Sequence, residues 1–391
     1  MKYVVCDITG RTLNYDKALC EAINEEVDGD EVELWSPQII KPTIKLRSFI
    51  SFVPNKYRNR SGIVFRLLKV VDTLLAYMSI LYRVFIFKPE VFHLQWFPFL
   101  SLGTRGAGID LFFLRMIKYL SPNTLFVFTI HNICPHSMKE SEIASYNPVF
   151  IRGLKIFDHF VVHTKKTKEE IVGEMEIESG KISVVHHGIF VPKDFHFTPL
   201  SYSKEQLNII MYGNQNWYKG TDILVESLKY LDERTIRKCK ITICGAISKD
   251  YLAELKEKDS GSFINWIPNF VEDNILYDNI NKSDLIVLPY RRISQSGVLL
   301  LALSTNRLIA TSDLPTFKET LDGFDDELFF KSEDAKDLAR LLELYVNQKV
   351  DIASIQNSIK SLNQQYSWSN SAKDTLLMYK KQIDAKNSRR L

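Results

Sequence analysis

Short, nearly uninterrupted apolar runs recur along this chain, each closed by a small or polar residue and followed by a segment with helical periodicity. The run at 124–130 (TLFVFTI) is the plainest, following a Pro122-Asn123 turn and apolar on both alternating sets of positions. A strand apolar on both faces is covered on both, the pattern of a central strand in a parallel sheet. Runs at 1–8, 31–36, 91–95, 157–163 and 182–185 read as further strands, as do 207–212, 240–244, 262–267, 284–288 and 327–330 in the second half. Helices are expected at 16–26, 63–87, 110–119, 165–173, 221–231, 271–280, 334–346 and 352–364, with a last one reaching about residue 383. Strand, short turn and helix in alternation specify an α/β fold.

At 391 residues the chain exceeds what one core ordinarily serves, which predicts two domains. Between residues 188 and 205 the composition turns to Pro192, Pro199, Ser201 and Ser203. This divides the chain into a first domain (1–190), a linker (191–204), a second domain (205–365) and a final helical segment (366–391). A net charge of +3 gives no sign of a nucleic-acid-binding protein. The five cysteines, at 6, 20, 134, 239 and 244, form no CxxC pair, so reduced thiols in a cytoplasmic protein are expected. The opening MKYVVCDITG reads as strand and turn rather than as a signal peptide. The apolar segment 63–87 is interrupted by Arg66, Lys69, Asp72 and Arg83. Its uncharged centre covers about half the length needed to cross a bilayer, so a long helix, not a membrane span, is expected.

From Lys41 to Val71 there are eight basic residues and no acidic one, with Phe49, Phe52, Tyr57 and Phe65 among them. Cations interleaved with aromatics suit the headgroup region of an anionic membrane, with Lys56, Arg58 and Arg60 as the contacts. A solvated loop and helix face is the second reading and a nucleic-acid contact the third.

Three places are suited to a ligand. Residues 287–319 begin as a buried strand, pass through a Ser-Gln-Ser-Gly loop and enter an apolar helix near Gly297. Backbone N–H groups without internal partners at such a helix start suit a phosphate, although an ordinary strand–loop–helix step looks the same. The loop 213–220 (GNQNWYKG) also joins strand to helix and carries Lys219; it is neither a Walker loop nor a GxGxxG turn. His131 follows the strand 124–130 at its C-terminal end, the edge where open α/β sheets bind ligands. A hydrogen-bonded structural histidine is the alternative there. His186 and His187 are adjacent on a strand, point to opposite sides and make a poor metal pair.

Taken in this order the segments resemble the GT-B glycosyltransferases, specifically glycosyltransferase family 4 and its group-1 relatives. The likeness is strongest in GNQNWYKGTDILVESLKYL, ITICGAI, DNINKSDLIVLPY and SGVLLLALSTNRLIATSDLPTFKE. In the first half TIHNICPH, VVHTKKTKEEI and ISVVHHGIF resemble the family's acceptor-side histidine motif and interdomain strand. The resemblance implies two Rossmann-like domains facing a cleft, with the last helix (YSWSNSAKDTLLMYKKQI) returning to the first. It implies transfer of a sugar from a nucleotide-diphosphate sugar to a glycan or lipid-linked acceptor, with retention and without metal or other cofactor. The expected setting is cell-surface polysaccharide biosynthesis, in the cytoplasm or peripheral on the inner membrane face.

Residue by residue, the resemblance makes Lys219 the diphosphate lysine and Ser296, Gly297 and Val298 the loop beneath the phosphates. His131 becomes the histidine beside the transferring sugar, so that His131 and Lys219 are the expected catalytic residues. Gly10 falls near the first-domain glycine loop, and Gly213, Asn214, Ser294, Gln295 and Glu319 fall toward the donor nucleotide and sugar. The chain also departs from the family. Asn214 stands where many relatives have arginine, and the family's two glutamates are replaced by Ser294 and Ala302. Arg291 and Arg292, just upstream of the loop, are the expected substitutes for the missing positive charge. A nucleotide-sugar epimerase and a non-catalytic sugar-nucleotide or membrane-binding module are the rival classes.

Overall fold

The computed structural model describes residues 1–37, 45–49, 63–99, 107–132, 148, 150–175, 177–190, 195–200, 205–259 and 261–388. The chain forms two units, one of Met1–Gly188 together with Trp368–Leu391, the other of Ile189–Ser367.

The first unit is built on a parallel sheet of β1 (Lys2–Asp7), β2 (Glu31–Ser36), β3 (Lys45–Ser48), β4 (Val91–Trp96), β5 (Leu125–Thr129), β6 (His159–Val162) and β7 (Ile182–Val184). Their spatial order is β3-β2-β1-β4-β5-β6-β7. The order reverses direction between β1 and β4, which creates a crevice at the strands' C-terminal ends. Val4, Cys6, Phe92, Leu94, Phe126 and Phe128 form the core of this sheet, buried to 4% exposure or less. Edge strand β3 was not foreseen, because KLRS reads as part of a basic loop. Its cations are paired instead: Lys45 and Arg47 reach the buried Glu33 carboxylate at 3.2 and 3.3 Å. Charged side chains on an edge strand also discourage pairing with other chains.

Three helices of this unit matter below: α1 (Leu13–Glu26), α2 (Ile63–Phe87) and α3 (Ala107–Leu120). By length and composition alone, Leu67–Phe87 within α2 is sufficient to cross a membrane, although the sequence reading did not make it a span. One face, with Ala76, Tyr77, Ile80 and Val84, is buried in the first core.

The terminal helix Trp368–Ser388 packs on the first unit, as the resemblance implied. Tyr379 stacks on Tyr3 at 5.6 Å and its hydroxyl meets His93 Nδ1 at 2.6 Å. Lys386 bonds Asp158 at 3.0 Å, and the Ser369 hydroxyl donates to Glu26 at 2.6 Å.

The second unit repeats the plan with β8 (Leu207–Tyr212), β9 (Cys239–Cys244), β10 (Ile264–Ile267), β11 (Leu285–Leu288), β12 (Leu308–Ser312) and β13 (Phe329–Phe330), ordered β10-β9-β8-β11-β12-β13. Its reversal falls between β8 and β11, so the loops leaving these two strands share one crevice. They are the loop 213–220 and the loop leading to Gly297.

Three helices here are not expected from the sequence, Glu233–Ile236, Lys249–Lys258 and Pro315–Thr320. Each carries a local start signal: the Asp232 side chain capping the Thr235 amide, the Ser248 side chain capping the Tyr251 amide, and a proline at the first turn. The expected linker 191–204 is not simply extended. Phe195 and Phe197 lie 5.4 and 5.9 Å from the Tyr277 ring, and the Thr198 amide donates to Asn281 at 2.8 Å, so residues 195–200 are packed on the second unit. Residues 191–194 and 201–204 lie outside the described residues, as does Cys134; Cys6, Cys20, Cys239 and Cys244 are buried thiols.

Candidate active site

The loop after β8 is shaped by two glycines in the left-handed region. Gly220 has φ +70°, and a Cβ there would stand 1.8 Å from the Pro289 carbonyl oxygen, so only glycine lets this loop pass the end of β11. Gly213 has φ +97°, and a Cβ would stand 2.8 Å from Lys219 Nζ. The ammonium group therefore occupies space that a side chain at 213 would fill. The buried Gln215 ties the loop together, its amide nitrogen donating to the Gly213 carbonyl at 2.6 Å and its oxygen accepting from Thr221 Oγ1 at 2.7 Å.

Lys219 itself is 6% exposed. It forms no ion pair among the described residues; its nearest recorded aromatic partner is the Tyr290 ring, 5.1 Å from Nζ. Burial lowers its pKa from the usual lysine value to about 8. A buried cation without a counter-charge is costly, and an incoming anion removes that cost.

On the other side of the crevice, Ser296 caps the helix Gly297–Leu303 by accepting the Leu299 amide at 3.0 Å. A Cβ on Gly213 would lie 3.4 Å from Val298 Cγ2, which sets the two loops in contact. The structure thus brings together Gly213, Lys219 and the Ser296–Val298 turn. Asn214 and Arg292 are exposed, and Ser294 and Gln295 are half-buried before the helix. Glu319 is half-buried in the helix Pro315–Thr320, while Ala302 is buried inside the helix Gly297–Leu303.

Arg291 is placed differently from the expectation that it faces the diphosphate. Its guanidinium makes two bonds to the Asp222 carboxylate at 2.9 and 2.8 Å, one to Glu333 at 3.2 Å and one to the Trp217 carbonyl at 2.7 Å. That fork-to-fork pair holds the Asp222 carboxyl below the usual carboxylate range, against the opposing effect of burial. The charge of Arg291 is committed to bracing the loop that carries Lys219. The expected substitute for the family's arginine is therefore a structural strut.

In the first unit, the Gly10 amide is also committed. With φ +68°, Gly10 lies in a turn wrapped around the buried Asp7, whose carboxylate accepts the amides of Thr9, Gly10 and Thr12 at 2.8, 2.9 and 3.0 Å. An anion would meet a carboxylate behind this turn, so the Gly10 amide is not a phosphate donor.

His131 lies in a cluster of rings at the ends of β4, β5 and β6. Its Nδ1 is 3.3 Å from His163 Nε2, and its Nε2 is 3.1 Å from Gln95 Oε1. Tyr15 of α1 packs edge-on against both histidines, and its ring is 4.8 Å from His187. Burial, reinforced by the neighbouring imidazoles, pushes His131 well below the usual histidine range; it lowers His163 to about 4 and His187 to about 3. All three are neutral at pH 7.

The proton positions follow from one fixed end. His163 Nδ1 is 2.9 Å from the Val185 carbonyl, which can only accept, so the proton of neutral His163 is on Nδ1. His163 Nε2 then accepts from His131 Nδ1–H, which leaves His131 Nε2 with a lone pair. That lone pair needs a donor, and the Gln95 side-chain nitrogen, buried without a hydrogen-bond partner, supplies it if the amide is turned about its axis. Gln95, His163 and His187 were not singled out as site residues. The available signal is polar residues inside or closing otherwise apolar strands, in VFHLQW, FVVH and ISVVHH. Lys56, Arg58 and Arg60 lie outside the described residues. Among the described residues, no group of three His, Cys, Asp or Glu is placed to hold a metal.

Two parallel α/β sheets, each with a strand-order reversal, match the GT-B architecture. Residues 206–347 match the family model described as Glycosyl transferases group 1. Among solved structures, a glycosyltransferase from Rickettsia africae ESF-5 is 17% identical, with a TM-score of 0.65 over 98% of this chain and 99% of that one. Sucrose-phosphate synthase from Thermosynechococcus elongatus is 12% identical, with a TM-score of 0.71 over 98% and 100%. The Anabaena protein HepE in complex with UDP and glucose is 10% identical, with a TM-score of 0.68 over 97% and 100%. No curated protein sequence matches the chain.

Proposed function

We propose that this protein is a glycosyltransferase that takes its sugar from a nucleotide-diphosphate donor held by the second unit, and passes it to a glycan or lipid-linked acceptor with retention and without metal. The observation that carries this reading is Lys219, a buried cation with no ion-pair partner among the described residues, beside Gly213 and the Ser296–Val298 turn. A diphosphate supplies the missing negative charge. As the glycosidic bond breaks, charge accumulates on the leaving diphosphate, and Lys219, Arg292 and the turn stabilise it electrostatically. His131 is neutral, with both ring nitrogens engaged, so it orients the sugar and acceptor rather than serving as a free base. The acceptor proton then passes to the departing phosphate oxygen. Polysaccharide assembly on the inner membrane face is the setting this reading favours.

Because HepE was solved with UDP and glucose, UDP-glucose is the first donor to assay. Lys219→Met is expected to lower UDP release by about 100-fold, in the range seen on removing one transition-state donor. Undiminished UDP release by a folded Lys219→Met variant would overturn the diphosphate assignment.

A further inference from the structure

The crevice of the first unit holds a cation that the proposed transfer leaves unused, and a change of strand register puts it there. Cys6 of β1 pairs with Leu94 of β4, yet the next residue, Asp7, pairs with Trp96, so Gln95 is an extra residue in β4. Such a bulge breaks the alternation of side chains and re-aims them. Here it lets two consecutive residues reach the same histidine. Gln95 Oε1 lies 3.1 Å from His131 Nε2, and the half-buried Trp96 ring lies 6.1 Å from the His131 ring.

The pairing of Asp7 with Trp96 also delivers Arg11. The Asp7 carboxylate gathers the amides of Thr9, Gly10 and Thr12, and the turn it closes sets the Arg11 guanidinium over the indole, 5.4 Å from the ring centre. A cation on an aromatic face is held in place without being neutralised. Among the described residues the Arg11 side chain has no ion pair and no hydrogen bond. The residue is exposed as a whole, but partial burial of its charged end lowers its pKa, and the Asp7 charge offsets only part of that. Other cations of this unit are committed. Lys118 of α3 pairs with Asp158 at 2.8 Å, and Arg83 of α2 donates to the Arg47 and Ser48 carbonyls at 3.0 and 2.8 Å.

The chemistry of the missing partner follows from the fork of a guanidinium, whose parallel N–H groups match the two oxygens of a carboxylate or phosphate. Its place follows from Trp96. One indole separates Arg11 from His131, the residue that the proposed function sets beside sugar and acceptor. An acidic substituent on the sugar ring that receives the transfer can span that separation.

We propose that Arg11, seated on Trp96, binds a carboxylate or phosphate carried by the acceptor, so that the acceptor is an anionic sugar. This rests on the sugar-transfer reading and narrows its acceptor class.

The test titrates the full chain with methyl glucoside, methyl glucuronide and glucose 1-phosphate, following the Trp96 indole N–H signal, which a Trp96→Phe variant assigns. The two anionic sugars are expected to bind about tenfold more tightly than the neutral one, the gain from one charge-assisted pair. The tighter of the two tells carboxylate from phosphate. Arg11→Met is expected to erase the difference and Arg11→Lys to keep part of it. Lys219→Met is expected to leave it intact, which separates this site from the proposed diphosphate site. Arg11 is exposed, so an unchanged melting temperature establishes that its variants are folded. The proposal is overturned if neither anionic sugar binds wild type or all three bind equally. It is also overturned by a preference that survives in folded Arg11→Met, or that Lys219→Met abolishes. A parallel UDP titration keeps the two readings apart: UDP binding without the charge preference removes this inference alone, and the preference without UDP binding removes the donor reading alone.

Discussion

His163 Nε2 lies 3.3 Å from His131 Nδ1, and the Val185 carbonyl at the far side of His163 dictates which of the two carries the proton between them. We predict that His163→Phe releases His131 to exchange tautomers. Turnover should fall on the order of tenfold with little change in the Michaelis constant for the donor, as misorientation near the reacting centre does. Nitrogen-15 spectra should show His131 protonated at Nδ1 in wild type and at both sites in exchange in the variant. A wild-type spectrum with the proton fixed on Nε2 would contradict the hydrogen-bond chain.

The same rings predict acid lability. His93, His159, His163 and His187 have folded pKa values lowered to about 3, 4, 4 and 3, against an ordinary value of 6.5. Below 6.5 the unfolded chain binds protons that the folded chain refuses, so stability falls as pH drops from 6.5 toward 4. Each histidine contributes on the order of 1 kcal/mol per pH unit in that window. Urea melts at pH 7 and pH 5 measure it; equal stabilities would refute the assigned neutrality.

Lys219 gives the opposite window. Its folded pKa, about 8, is below the unfolded value of 10.5, so the charged lysine penalises the folded state at neutral pH and the penalty is relieved between pH 8 and 10.5. Lys219→Met is expected to stabilise the ligand-free protein by at most about 3 kcal/mol at pH 7 and to lose UDP binding. In wild type, UDP affinity should decline above pH 8; a flat calorimetric profile from pH 7 to 9.5 counts against this role.

Gly213→Ala tests the room left for that ammonium. A Cβ would stand 2.8 Å from Nζ on a backbone at φ +97°, so the lysine must move. A stability loss of about 1–2 kcal/mol from the strained backbone is expected, together with UDP affinity weakened about tenfold. Wild-type affinity in a folded Gly213→Ala protein would show that the two groups do not share the site.

Asp222→Ala removes the partner of Arg291, whose side chain is only 10% exposed. Stability should fall by about 2–3 kcal/mol, since a largely buried cation loses its bidentate carboxylate. Donor binding should weaken as the loop 213–220 loses its brace. Chemical denaturation beside UDP titration separates the two effects.

The α/β plan was legible because a strand covered on both faces leaves no choice but apolar residues, and 124–130 and 284–288 are such strands. Lys219 was visible through its loop glycines and its family resemblance. What escaped the sequence was pairing. Nothing local to Arg291 reveals that Asp222, sixty-nine positions earlier, takes its charge. Nothing in the Gly10 turn says that Asp7 folds back over its amide. Gln95 and His163 are separated from His131 by 36 and 32 positions, and only the sheet order places them together. Strand β3 was missed because its cations resemble a loop until Glu33 is beside them.

The last helix has a consequence for how the protein is made. Tyr3, Glu26, His93 and Asp158 all wait for Tyr379, Ser369 and Lys386. During synthesis the first sheet leaves the ribosome early, yet these partners emerge only after the whole second unit has been translated. The second unit, continuous in sequence, can close first, whereas the first lacks these partners until Trp368–Ser388 has been made. Removing the helix Trp368–Ser388 is therefore expected to damage the unit built from the first half of the sequence rather than the second.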